Sequence, residues 1–342
     1  MAEKPLISII IPCFQEDRNI EACLRSILAQ EPVPGGFELL VVDGQSNDGT
    51  REIIQRICRE DERVRLLDNS QRFQSFALNN GILAARGSIL MRMDAHTLYA
   101  PDYVKQCIRI LQETQADNVG GPHRATGDSY IQRAVAAVHH SAFGVGGALS
   151  HRVDYQGYVD TVVYGCWRKE TLLKMGLFDE SLVRNQDDEL NLRITRAGGK
   201  IYQSPQIKSW YQTRSSLWEV FRQYRQYGYW KVAVIRKHYF PASWRHLAPG
   251  GFLLALIVNL LLHPFFKGAI IPFGVMLGLY LAVTLVVSVA TAWKTQWSLL
   301  PILPLTFVFF HFGYGVGFLH GLVDFVLVKR RPSLKFTSVT RC

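Results

Sequence analysis

The amino-acid sequence predicts an α/β domain on a doubly wound, mostly parallel sheet, followed by an α-helical region suited to a membrane. Three observations carry that prediction. Short runs rich in Ile, Val and Leu alternate with helix-spaced apolar residues at βαβ intervals through the first third of the chain. The loops after those runs gather turn residues and carboxylates, where open α/β sheets bind their ligands. After about Leu247 the composition turns to Leu, Val, Ile, Phe and Gly, with few charges until Lys329. At 342 residues the chain has room for two units.

Leu6–Ile11 is a continuous apolar run of the kind buried on both faces of a parallel sheet, and Pro12 stops it. Ile20, Leu24, Ile27 and Leu28 then follow helical spacing. Phe37–Val42 is a second buried strand. It ends at Asp43-Gly44-Gln45-Ser46-Asn47-Asp48-Gly49-Thr50, a loop dense in turn and N-cap residues that opens a helix through Ile53, Ile54 and Ile57. Val64–Leu67 reads as a third strand and Gln74–Ala85 as a helix. Gly87–His96 reads as a strand ending on Asp94 and His96. If the chain is still extended there, the two side chains point the same way, and a carboxylate and an imidazole together suit a divalent cation. Alone, the pair equally suits a turn cap and an ordinary loop histidine. Glu16, Asp43 and Asp94 fall at strand ends that a parallel sheet would bring to one edge, and together they mark a candidate site. The first strand and loop lack Gly-x-Gly-x-x-Gly, which argues against a dinucleotide fold of the usual kind.

Asn118–Pro122 and Thr161–Trp167 read as further strands and Tyr130–Phe143 as a helix. Within that helix His139 and His140 diverge, which favours surface or core histidines over a metal pair. A short helix from Lys169 should end at Gly176. Asn185-Gln186-Asp187-Asp188-Glu189-Leu190 opens a helix that runs to Ala197, and its acidic first turn is favoured by the helix dipole whatever else those residues do.

The formal charge of +10 suits nucleic acid or anionic lipid, and the apolar last third favours lipid. Six cysteines, at positions 13, 23, 58, 107, 166 and 342, lack Cys-x-x-Cys spacing, the pattern of reduced core thiols in a cytosolic domain rather than of a disulfide framework or zinc site. Met1–Pro5 leads straight into a strand too short for a signal core, so the N-terminal region is expected on the cytoplasmic side.

Taken in order, Ile-Ile-Pro-Cys-Phe-Gln-Glu, Val-Val-Asp-Gly-Gln-Ser-Asn-Asp-Gly-Thr, Ala-Leu-Asn-Asn-Gly-Ile-Leu-Ala-Ala-Arg-Gly and Met-Asp-Ala-His resemble the nucleotide-sugar-binding half of a family 2 inverting glycosyltransferase of GT-A fold. Within that family the resemblance is closest to membrane-bound glucosyltransferases of succinoglycan-type exopolysaccharide assembly, where Asp-x-His replaces the wider Asp-x-Asp. It covers residues 5 to about 240. The resemblance implies that Pro12, Glu16, Asp43, Asn79 and Asp94 bind the nucleotide sugar, and that Asp94 and His96 hold a divalent cation, Mg²⁺ or Mn²⁺. It also implies that Asp187 is the catalytic base, with Asp188 a neighbouring alternative. Two positions depart from the family pattern. Gly44 stands where many relatives have a second Asp, and Gln186 where they have Glu.

Ser215–Trp244 interleaves basic and aromatic residues at helical spacing. That pattern can stack nucleic-acid bases, or lie in a membrane interface, which the apolar segment after it favours. By resemblance, Asp188, Gln223 and Arg225 are acceptor-side residues, the last two in a loose match to a Gln-x-x-Arg-Trp element. Three apolar stretches follow, near Ala248–Phe266, Ile270–Trp293 and Leu299–Val328. A span needs about 20 apolar residues. Basic residues flank the set on both sides and favour an even number of crossings, so three stretches require a re-entrant segment, a hairpin in the third, or a breach of the rule. The expected organisation is a GT-A domain over residues 1–212, an amphipathic interfacial junction over 213–247, membrane helices over 248–328 and a basic tail over 329–342. The expected protein is a multi-pass bacterial inner-membrane enzyme with its catalytic domain in the cytoplasm, moving a hexose, glucose from UDP-glucose first among candidates, to a polyprenyl-diphosphate-linked saccharide. Its expected partners are that donor, that acceptor, membrane lipid and other polysaccharide-assembly enzymes, and not nucleic acid. A polyprenyl-phosphate glycosyltransferase and a non-catalytic nucleotide-sugar-binding membrane scaffold are the alternatives.

Overall fold

A computed structural model describes residues 6–337; Met1–Pro5 and Cys342, on which two of the expectations above bear, lie outside the described residues. The chain divides into two compact units. One gathers the residues up to Arg124 with Leu149–Gln212, and the other gathers Ala125–Ala148 with the chain from Thr213 onward.

In chain order the elements are β1 (Ile7–Cys13), α1 (Ile20–Leu28), β2 (Phe37–Asp43), α2 (Thr50–Glu60), β3 (Val64–Asp68), α3 (Gln74–Ala84), β4 (Ile89–Arg92), β5 (Thr97–Tyr99), α4 (Tyr103–Thr114), β6 (Asn118–Gly121), β7 (Arg124–Thr126) and α5 (Tyr130–His139). Then come β8 (Gly157–Tyr158), β9 (Val163–Arg168), α6 (Lys169–Met175), α7 (Gln186–Arg196), β10 (Ile201–Gln203), β11 (Ser209–Gln212), α8 (Leu217–His238), α9 (Ala248–Leu262), α10 (Ile270–Lys294) and α11 (Leu303–Gly321).

The first unit is built on an eight-stranded sheet of order β3-β2-β1-β4-β9-β6-β10-β8. Its first half is parallel, as the unbroken apolar runs predict. Register pairs Cys13 of β1 with Asp43 of β2, and Ile10 of β1 with Arg92 of β4, so these strands end at one edge. The second half is mixed, because β9 runs antiparallel between β4 and β6. Cys166 and Trp167 of β9 are buried on both faces, so the apolar pattern that identifies a central strand carries no sign of its direction.

Side chains alternate between two cores. Ile7, Ile9, Ile11, Leu39 and Val41 meet Ile20, Leu24 and Ile27 of α1, Ile54 and Ile57 of α2, and Val104 and Leu111 of α4. Ile10, Leu40 and Val42 face the other way, toward Leu78 and Ile82 of α3 and Leu190 and Ile194 of α7. Helices thus cover both faces, the condition for a parallel sheet. The five cysteines among the described residues are free thiols. Burial pushes the Cys23 thiol up to about 12, with Asp94 and Glu16 adding to the shift, which leaves it neutral and inert.

The second unit holds α5 and α8 to α11. The helices spanning Trp244–Leu262, Lys267–Lys294 and Leu303–Leu327 are long and apolar enough to cross a membrane. The third continues from α11 into a π-helical stretch, Leu322–Leu327, so it is one unbroken helix and not a hairpin. The junction helix α8 begins at Ser216, whose side chain accepts from the Glu219 backbone N–H. It is an interlocked helix rather than a detached one, lying against α11 with backbone touching backbone. A Cβ on Gly317 would sit 1.9 Å from the Arg225 carbonyl oxygen, and one on Gly228 2.1 Å from that of Tyr314. Past α11, Asp324 is buried and receives the Tyr229 hydroxyl at 2.8 Å and Arg330 Nε at 2.9 Å. Phe336 stacks on Tyr229 at 3.8 Å between ring centroids.

Replacing Gly317 by Ala should destabilise the protein by about 1–3 kcal/mol through overpacking. Gly278→Ala in α10, where nothing lies within 4 Å of the added Cβ, should change stability by no more than about 0.5 kcal/mol. Thermal unfolding of both variants in one detergent checks the pair.

Candidate active site

The site is assembled where β1, β2 and β4 end. Beyond β1 the chain turns through Gln15, which is left-handed at φ 55° and donates its backbone N–H to Ser46 Oγ at 2.9 Å. The Gln15 carboxamide and Asn47 exchange hydrogen bonds of 2.7 and 3.0 Å, and the Glu16 N–H donates to Thr50 Oγ1 at 2.8 Å. The loops after β1 and β2 therefore form one stitched surface. Pro12 lies within β1, paired in register with Val42. Asp43 is buried beneath the second loop, accepting from Ser46 Oγ at 2.6 Å and from Arg51 Nη1 at 3.1 Å. A Cβ at position 44 would stand 3.0 Å from the Phe14 ring, so a larger residue there would require that ring to shift.

The strand β4 stops at Arg92, two residues before Asp94, and a turn closes with the Thr97 N–H on the Asp94 carbonyl at 3.3 Å. Asp94 and His96 are thus not on extended backbone, and the period-2 argument that aims them together does not apply. Each has its own partner. Asp94 accepts from Arg92 Nε at 2.8 Å and Nη2 at 2.9 Å, a two-pronged fork. His96 Nδ1 lies 2.9 Å from Glu16 Oε1. With the proton on Nδ1, that carboxylate leaves Nε2 as a lone pair, the arrangement in which an imidazole ligates a metal. Glu16 accordingly faces His96, a place that the spacing of the strand ends does not reveal.

Arg92 is the residue that sequence reasoning missed. Its guanidinium is buried, lies 5.8 Å over the Tyr164 ring, and brings Nη1 to 3.8 Å from Asp187 Oδ2. Burial works against its charge, but the field and hydrogen bonds of Asp94, reinforced by Asp187, outweigh it and hold the group protonated above its ordinary range. Tyr164, left-handed at φ 64°, is fixed by a 2.6 Å hydrogen bond between its hydroxyl and Thr97 Oγ1. Burial, then Asp94, pushes its phenol up. The signal available in the sequence was one arginine in the otherwise apolar run Ile89-Leu90-Met91-Arg92-Met93, two residues before Asp94.

Asp187 lies in the first turn of α7, its side chain 44% exposed, and accepts the Asp188 backbone N–H at 2.9 Å. The N-terminal end of the helix dipole favours its negative charge. Asp188 follows one residue round the same turn. The helix is pinned by buried Glu189, which takes Arg193 at 2.8 Å, while Arg193 also donates to the carbonyls of Met175, the last residue of α6, and of Leu177 just beyond it. The structure gives Asn79 a clamping position: its carboxamide donates to the Phe178 carbonyl and accepts the Phe178 N–H, both at 2.9 Å, tying α3 to the loop after α6. In the second unit, Gln223 Nε2 donates to the Tyr227 hydroxyl at 2.9 Å, and the Arg225 guanidinium lies 5.1 Å over the Phe336 ring. His139 is a core residue there, its ring edge on Phe310, and His140 Nε2 lies 3.2 Å from the Ala125 carbonyl oxygen.

Comparison with known proteins identifies the family and the fold. The sequence model described as glycosyl transferase family 2 matches residues 8–167. A Methanococcus voltae protein named dolichyl N-acetyl-alpha-D-glucosaminyl phosphate 3-beta-D-2,3-diacetamido-2,3-dideoxy-beta-D-glucuronosyltransferase is 31% identical over 325 residues, 93% of this chain and 97% of that one. The succinoglycan biosynthesis protein ExoA of Rhizobium meliloti is 32% identical over 327 residues, 93% and 95% of the two chains. Among solved structures, a mannosyltransferase from Pyrobaculum calidifontis in complex with GDP-Man and Mn²⁺ superposes with a TM-score of 0.60 at 18% identity, over 92% of this chain and 87% of that one. The fold is therefore GT-A.

The clamp has a measurable consequence. Asn79→Ala leaves the Phe178 backbone N–H and carbonyl without their side-chain partner in a buried position, and should lower stability by about 1–3 kcal/mol in chemical unfolding. Nucleotide affinity of the folded fraction, read by calorimetry, tests the binding role proposed for Asn79: a loss of about tenfold or more supports it, and a change within about twofold leaves Asn79 the clamp alone.

Proposed function

Because the chain belongs to glycosyl transferase family 2, we propose that it moves a hexose, with inversion, from a nucleotide sugar to a lipid-linked saccharide, and that Asp187 is the base. The observation that carries this reading is the half-exposed Asp187 carboxylate at the start of α7, 3.8 Å from a buried arginine that grips Asp94 on the donor side. Inversion requires an acceptor hydroxyl to attack opposite the leaving group while a carboxylate takes its proton, and Asp187 is presented to solvent for that task. Asp94 and His96 are the proposed holders of Mg²⁺ or Mn²⁺, an oxygen and nitrogen donor set that suits either. When bound, such a cation supplies positive charge to the departing diphosphate. Asp43, Pro12 and the stitched loops around Ser46 supply the nucleoside side, and Glu16 sets the His96 ring. Gln223 and Arg225 are proposed for the acceptor.

Both full-length relatives support a lipid-bound or polymer-directed acceptor: one is named for a dolichyl-linked sugar phosphate and the other for succinoglycan biosynthesis. The apolar faces of α9 and α10 point outward, with Leu254, Leu261, Ile271, Val275, Leu279 and Val286 exposed, which supports residues 248–328 as membrane helices. The reading places residues 1–212 in the cytoplasm as the catalytic part, joined through 213–247 to a bacterial inner membrane. UDP-glucose is the proposed donor and a polyprenyl-diphosphate-linked saccharide the proposed acceptor, in exopolysaccharide assembly beside other enzymes of that process.

The test is nucleotide release from UDP-glucose, UDP-N-acetylglucosamine and GDP-mannose by protein in membranes with lipid-linked acceptor and Mg²⁺ or Mn²⁺. One donor should turn over, dependent on acceptor, and Asp187→Asn should cut turnover by about 10²–10⁴ while donor still binds. Asp94→Ala should weaken donor binding itself. Unchanged turnover in Asp187→Asn would remove it as the base, and donor binding without turnover on any acceptor would favour a non-catalytic scaffold.

A further inference from the structure

Past α11 the chain is tied back onto α8 at several points, with Tyr229 at their centre. The Tyr229 hydroxyl donates to Asp324 at 2.8 Å and accepts the Ser333 backbone N–H at 3.0 Å. Phe336 lies flat on its ring, with 3.8 Å between centroids and 2° between planes, and Trp230 Nε1 donates to the Phe336 carbonyl oxygen at 2.9 Å. The Phe336 side chain is buried by these contacts, and the Arg225 guanidinium lies 5.1 Å over its ring. Arg225 Nε is itself buried and has no hydrogen-bond partner among the described residues.

An aromatic ring is a particular kind of holder for an arginine. A carboxylate would fix the side chain by neutralising it and engaging its N–H donors, whereas a ring attracts the charge through its π-face and leaves the donors for another group. An arginine free to rotate must be ordered by its ligand, which weakens binding; one held in advance has already lost that freedom. We propose that Phe336 is a positioning residue for the acceptor: the tail carries a ring back to α8 and holds Arg225 in the orientation in which its N–H donors meet oxygens of the lipid-linked saccharide. This rests on the reading of Arg225 as an acceptor-side residue. It extends that reading to the segment after α11, where the sequence pattern marks only a basic tail.

The experiment uses the full-length protein in detergent with saturating UDP and measures binding of a short-chain polyprenyl-diphosphate-linked hexose by calorimetry, with UDP affinity measured beside it. Phe336→Leu keeps an apolar side chain but has no ring face. It should weaken binding of the hexose probe by roughly three- to thirtyfold, the span of a cation–π contact from exposed to desolvated surroundings, and leave UDP affinity within about twofold. In an Arg225→Ala background the same substitution should have no further effect, because a residue that acts through Arg225 then has nothing to position. Ser333→Pro removes the N–H that Tyr229 accepts and loosens the tail without altering the ring. It should weaken probe binding in the same direction by less, and it carries the test if Phe336→Leu fails to fold. Unchanged probe affinity in the folded variant overturns the proposal. So does a loss of equal size with and without Arg225, which would reduce the ring to packing alone. Full probe affinity in Arg225→Ala, or no binding of the probe by the wild-type protein, removes the acceptor reading of Arg225 and takes this proposal with it. If Arg225→Ala weakens binding and Phe336→Leu does nothing, that reading stands and only the role of the tail falls.

Discussion

Because β1 pairs in parallel with both β2 and β4, in a register that sets Cys13 beside Asp43 and Ile10 beside Arg92, three loops leave the sheet at a single edge. That ladder fixes where a charged side chain at the end of β4 must be buried, and burial then dictates the rest. A guanidinium removed from water needs carboxylates around it, so Arg92 draws both oxygens of Asp94 and stands next to Asp187. The donor-side carboxylate and the proposed base are thereby held against one cationic group, although Asp94 and Asp187 stand 93 positions apart in the chain. The remaining groups follow from the same edge: Glu16, carried out of β1, reaches the His96 ring, and Asp43 closes under its own loop.

Periodicity made much of this legible. The apolar runs of β1 and β2 and the helical spacing of Ile20, Leu24 and Ile27 are direct consequences of burial, and burial is what an apolar pattern records. The helix bearing Asp187 was readable from its acidic first turn and terminal glycines. What was not readable depends on partners distant in sequence. The direction of β9 leaves no trace in composition, because a central strand is apolar in either sense. The turn after β4 is closed by a hydrogen bond from Thr97 back to Asp94, so the relative placing of Asp94 and His96 is set by a turn and not by the period of a strand. That Asn79 holds the Phe178 backbone is likewise hidden, because α3 and the loop after α6 meet only in the folded chain.

The apolar end shows the same division between composition and contact. Hydropathy identifies three helices without difficulty, and the glycines of α11 announce close packing, but not that the partner is the polar and aromatic helix α8. Counting positive charges on either side gives Arg330 the same weight as Lys329 and Arg331. In the folded chain Arg330 is paired with buried Asp324, so part of the charge that counts toward topology is committed within the protein. An aspartate inside an apolar helix is expensive unless it is paired, and this one has both Arg330 and the Tyr229 hydroxyl.

The contact between α8 and α11 has a consequence for how the protein responds to lipid. Two helices whose backbones touch at Gly228 and Gly317 cannot slide or roll past one another without collision, so they tilt as one piece. An apolar helix adjusts its tilt to the hydrocarbon thickness around it. Any such adjustment by α11 is therefore passed directly to α8, along with Gln223 and Arg225 on that helix. With α11 as a proposed membrane helix, the thickness of the surrounding bilayer, which depends on acyl-chain length and order, would become a physical variable acting on the inclination of a polar helix.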